Sequence, residues 1–140
     1  MVVTGEMISS IAESHIGSDD WSNDSSSETG PGTDKCHFFV ADIIEQAGGS
    51  VPKKWLGIGG PIGVKEWGDP KSEFLLADDN WELVKTQPEE GDVFSNGKHV
   101  AILTGYRTST HAGKDKIVRD NWGFKPGKSA KDYTFWRYKN

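Results

Sequence analysis

Thr33-Asp34-Lys35-Cys36-His37-Phe38-Phe39-Val40-Ala41-Asp42-Ile43-Ile44-Glu45-Gln46-Ala47-Gly48-Gly49 holds the only cysteine of the chain and reads as one amphipathic helix of about three turns. Phe39, Val40, Ile43, Ile44 and Ala47 recur at the three- and four-residue spacing of a buried face, and Asp42, Glu45 and Gln46 fall on the other side. Thr33 or Asp34 can cap the first amides, and Gly48-Gly49 can end the helix in a left-handed conformation. That places Cys36 in the first turn, where unpaired amides and the helix dipole favour thiolate over thiol. A lone cysteine is more often a small core residue than a nucleophile, so a chemical reading needs partners elsewhere in the chain.

The totals set the frame for that search. A chain of 140 residues suits one domain, residues 1–140, with 34% hydrophobic and 26% charged residues. The 17 glycines and 6 prolines imply many turns, short elements and long loops. A net charge of −5 argues against nucleic acid as the main partner, since phosphate binding needs a surplus of Lys and Arg. A single cysteine excludes an internal disulfide. No apolar run approaches the roughly 20 residues that cross a bilayer, and the first residues lack a basic segment followed by an apolar one. The expectation is a protein made in the cytoplasm without a signal peptide and without a membrane span.

Residues 4–16 read as a helix with Met7, Ile8, Ile11, Ala12 and His15 on one face, capped by Thr4 and stopped by Gly17. Residues 17–34 are crowded with Ser, Asp, Asn and Gly and read as a mobile polar loop, in which Trp21 either pins the loop to the core or lines a cleft. Residues 50–80 read as an irregular lid-like segment, with Trp55 and Trp67 among alternating glycines. Gly57-Ile58-Gly59-Gly60 within it lacks both the preceding strand and the Gly-Lys-Ser/Thr ending of a phosphate loop.

From Trp81 the pattern turns to strands. Trp81–Val84 is a short one, and 92–95 and 98–104 flank Asn96-Gly97, the strongest short hairpin signal in the chain. His99 opens an apolar strand where packing has no need of an ionisable ring. Residues 105–115 read as a polar connection that leaves His111 in solvent, 116–122 as a third strand and 133–138 as a fourth. The order predicts an α+β domain, N-terminal helices packed on an antiparallel sheet of about four to six strands.

A thiolate at a helix start becomes an acyl-transfer catalyst when a neighbouring histidine moves its proton and a polar group orients that histidine. Cys36, His99 and either Asp120 or Asn121 supply those parts. Cys36 with Phe39-Val40, then Gly91-Asp92-Val93, then His99-Val100-Ala101-Ile102, resemble the motifs of the NlpC/P60 and CHAP families of papain-like cysteine peptidases and amidases. Ala12 to Gly17 also resembles their first helix. Lys35 and His37 depart from the Asp and small residue common beside the nucleophile. The resemblance implies a papain-like fold and hydrolysis of amide bonds in peptidoglycan peptides, with Cys36 as nucleophile and His99 as base. Asp120 would be the third residue, preferred for its charge over Asn121. Small size, with no export signal and no added wall-binding repeat expected, resembles amidase effectors of type VI secretion, which implies action in the periplasm or wall of a rival bacterium and a cognate immunity protein as partner; a phage lysin or a diffusible toxin would look similar. No cofactor or metal is called for, because Cys36-His37, His99 and His111 lack the short paired spacings of zinc ligands. The rivals are a cysteine hydrolase or acyltransferase on another substrate, and a non-catalytic wall-binding module with Cys36 in its core.

Overall fold

A computed structural model describes residues 2–22, 35–54, 59–121 and 132–140. Six strands form one antiparallel sheet: β1 (Trp81–Leu83), β2 (Val93–Ser95), β3 (Val100–Gly105), β4 (Thr108–Ala112), β5 (Ile117–Asn121) and β6 (Thr134–Tyr138). Their spatial order is β1-β6-β2-β3-β4-β5. Helices α1 (Gly5–Ser14) and α2 (Cys36–Gln46) pack on β3 and β4, while the single turns α3 (Val64–Trp67) and α4 (Glu73–Leu76) cover the β1, β6 and β2 half. The predicted α+β arrangement is the one observed.

Alternation along the strands divides the sheet into two faces. Val93, Val100, Ile102, Ala112, Ile117 and Trp136 join Ile8 and Ala12 of α1 and Phe39, Val40, Ile43 and Ile44 of α2 in the main core. Phe94, Ala101, Leu103 and Phe135 form a smaller cluster on the reverse face. Each buried Ile or Phe contributes about 2 kcal/mol, far more than helix propensity differences, so sheet packing is what holds α1 and α2. Trp67 lies in this core at 1% exposure, its ring edge-on to Trp81 and its carbonyl accepting from the Trp136 indole N–H. That corrects the lid reading for Trp67. The glycine-rich pattern masked a buried turn, α3, while Trp55 and the rest of 55–58 lie outside the described residues.

Of the two readings of Trp21, the one observed is that it pins residues 17–22 to the core. Gly17 N–H donates to Ile117 O, Ile117 N–H donates to Ser18 O, and Trp21 is buried between His15 and Phe39 with its indole N–H on Asp42 Oδ2 at 2.8 Å. This short strap therefore links the β5 edge to α2; residues 23–34 lie outside the described part.

Gly91 and Asp92 build the turn that launches β2. Gly91 has φ +94°, and a Cβ on it would stand 2.3 Å from Gly5 Cα, so only glycine lets α1 start against this turn. Asp92, 1% exposed, accepts from Arg137 at 2.9 and 3.0 Å and from Glu89 N–H at 2.8 Å. Burial pushes its carboxyl above the usual carboxylate range, and the Arg137 guanidinium opposes that rise. Val3 and Asn140 clasp each other through two 2.8 Å bonds, N–H to Oδ1 and Nδ2 to carbonyl.

Candidate active site

Cys36 is the first residue of α2, with Lys35 at the N-cap. The position follows from the apolar face of the helix. Phe39, Val40, Ile43 and Ile44 are all 0% exposed, and seating them fixes the first turn against the sheet, leaving Cys36 4% exposed as a member of the main core. The surrounding strands β3 and β4 are those that bear the histidines.

The Asn96-Gly97 turn sets His99. Gly97 adopts φ +89°, and Asn96 Oδ1 accepts from the backbone N–H of Lys98 at 2.9 Å and of His99 at 3.0 Å. An Asx-type turn of this kind fixes the chain direction as it enters β3, which begins one residue later at Val100. The register Ile102↔Thr110 makes His111 of β4 the diagonal neighbour of His99. The rings meet edge to face at 85°, with His99 Nε2 and His111 Nδ1 2.7 Å apart. In the next pair Ser109 faces Asp120, so Asp120 is in turn diagonal to His111, its Oδ2 3.8 Å from His111 Nε2.

The charge states follow from burial. His111 is 8% exposed, and that burial lowers its pKa below the ordinary imidazole value, with the Asp120 carboxylate opposing the shift. His111 is therefore neutral at pH 7 and carries one ring proton. The tautomer that suits both neighbours holds it on Nε2, toward Asp120, and leaves Nδ1 to accept from His99 Nε2–H. Proton exchange with a nucleophile then falls to His99 Nδ1. At 3.8 Å the Asp120 carboxylate acts on His111 through its charge rather than through a hydrogen bond of ordinary length, and the neutral His111 in turn favours positive charge on His99.

The arrangement departs from expectation at the third position. The ring against His99 is His111, and Asp120 stands one strand further on because residues 108–112 form β4 rather than a polar connection. His111 is accordingly buried rather than in solvent. Asn121 pairs with Thr108 at the far end of β5. The missed signal was Thr108-Ser109-Thr110, hydroxyl residues that suit a strand whose neighbours cover it; Thr110 is 0% exposed and bonds Thr104. His15 has a structural setting, with Nε2 at 3.0 Å from Gln46 Oε1 and the ring edge-on to Trp21. His37 stacks obliquely on Phe38. Among the described residues no three His, Cys, Asp or Glu side chains are grouped to hold a metal, and no helix is long and apolar enough to cross a membrane. No family model matches the chain, and no curated protein matches it.

Proposed function

We propose that the chain is a cysteine amidohydrolase of papain-like, NlpC/P60-type architecture that cleaves amide bonds in peptidoglycan peptides. The observation that carries this reading is the 2.7 Å pairing of His99 with His111, backed by Asp120, on strands against which the Cys36 helix packs. In this mechanism the Cys36 thiolate attacks the substrate carbonyl, and the Cys36 backbone N–H helps hold the oxyanion. The His99 imidazolium gives its proton to the leaving amine. Water then attacks the thioester with His99 as base, returning acid and thiol. His111 accepts from His99 throughout, and Asp120 orients His111.

The proposed setting is the wall or periplasm of a target bacterium, as for a secreted antibacterial effector, with an immunity protein that blocks the cleft. Digestion of purified sacculi followed by mass spectrometry of the muropeptides tests the activity. New stem-peptide fragments with the native chain and none with Cys36→Ala are expected; identical fragments from both would end the proposal. Expression directed to the periplasm should lyse cells where cytoplasmic expression does not. The 4% exposure of Cys36 is the one observation that favours the rival, a binding module with this cysteine in its core. Such a thiol would resist iodoacetamide below about pH 8.

A further inference from the structure

We infer that Ser95 is a positioning residue for His99: its hydroxyl fastens the Asn96-Gly97 turn to α3, and that brace fixes the position from which the imidazole meets His111. The inference rests on the role proposed for His99 and extends it to a part of the chain outside the Cys36, His99, His111 and Asp120 set. Ser95 ends β2 and is 0% exposed. A hydroxyl so deeply buried is costly unless its donor and acceptor sites are both used. Here they are, since Ser95 Oγ accepts from Gly97 N–H at 2.9 Å and donates to Val64 O at 3.1 Å. One atom thus joins the hairpin tip to the first residue of α3.

Two further side chains from the sheet hold the same segment. Thr134 of β6, paired with Ser95 across the ladder, donates to Gly68 O at 3.0 Å, and the Trp136 indole donates to Trp67 O at 3.0 Å. The segment stands directly against the tip. A Cβ on Gly68 would lie 2.5 Å from Gly97 N and 2.7 Å from Gly97 Cα, so the two backbones meet with no side chain between them. From Gly97 the chain runs only two residues to His99, whose ring lies 2.7 Å from His111, nitrogen to nitrogen. A shift of roughly 1 Å is enough to lose a hydrogen bond, so a tip released from α3 would part the two rings. Alanine at 95 would fill the site almost as well; what the hydroxyl adds is the pair of bonds. Val64 O also accepts from Gly68 N–H at 3.0 Å, so it keeps a partner when the hydroxyl is removed.

The test is the scalar coupling between His99 Nε2 and His111 Nδ1 across their hydrogen bond, read by NMR on the nitrogen-labelled full chain. The native chain should show it. Ser95→Ala should fold and lose it, with the His15 resonances unmoved, and its turnover on muropeptides should fall by roughly tenfold at unchanged KM. A folded Ser95→Ala chain that keeps the coupling overturns the inference, as does absence of the coupling from the native chain. Should Ser95→Ala fail to fold, Thr134→Val decides by the same readout: it keeps the side-chain shape and releases only Gly68 O, and an undiminished coupling there would overturn the brace. The coupling needs no substrate, so a chain that cleaves no muropeptide yet loses the coupling in Ser95→Ala would leave the Ser95 inference standing and refute only the hydrolase reading.

Discussion

A single buried imidazole links the chemistry of the proposed site to the stability of the fold. His111 has its pKa lowered by burial, so between that value and the ordinary 6.5 the folded chain binds fewer protons than the unfolded one. Stability therefore rises with pH across this window, is present in full above 6.5, and is lost as pH falls through the folded value. Urea unfolding at about pH 5 and about pH 7 should show the midpoint falling on acidification, and His111→Asn should flatten that slope. On activity, His111→Ala should lower turnover on muropeptides by on the order of a hundredfold or more, because the His99 imidazolium loses its acceptor. Asp120→Asn should cost only about tenfold, as expected for a partner one step removed. Equal losses in the two variants would instead make Asp120 a direct participant.

At the scale of elements, the turns carry sharper constraints than the helices. Gly91 and Gly97 both have positive φ, yet a Cβ on Gly97 would meet nothing within 4 Å while one on Gly91 would run into Gly5. Gly97→Ala should thus cost about 1 kcal/mol, the strain of the left-handed backbone alone. Gly91→Ala adds a backbone clash and should cost about 3 kcal/mol or more by chemical denaturation. Asp92→Ala, which strips Arg137 and the Glu89 amide of their shared acceptor, should cost about 3 kcal/mol and lower Tm by on the order of 10 °C. Legibility in the sequence followed the same division. The α2 stripe, the Asn96-Gly97 hairpin and the Gly91-Asp92 turn are local signals, and each was readable. β4 was not, because Thr-Ser-Thr-His-Ala becomes a strand only through the two neighbours that cover it. Losing β4 displaced the partner of His99 from His111 to Asp120. Trp67 was misread for a related reason: five glycines between 57 and 68 suggest a surface loop, while its burial depends on Trp81 and Trp136 far along the chain.

For the whole molecule, the main core joins both long helices, the two single turns α3 and α4 and residues from all six strands, so unfolding should be a single cooperative event followed by tryptophan fluorescence. Cys36 contributes one small side chain to it. Cys36→Ala should keep Tm within about 3 °C of native while eliminating turnover, which separates the chemistry from the scaffold. A drop several times larger would mark the thiol as structural.

β6 lies between β1 and β2, and the consequence is one of timing. During synthesis the ribosome releases residues 81–121 well before 134–138, so for that interval β1 and the outer side of β2 wait without their shared neighbour. The nascent chain can assemble the β2 to β5 meander first, but the sheet is bridged only when residues 134–138 emerge and slot into the gap. Closure of the sheet is thereby deferred until β6 is available, and a chain cut short before residue 134 would leave the two halves of the sheet unjoined.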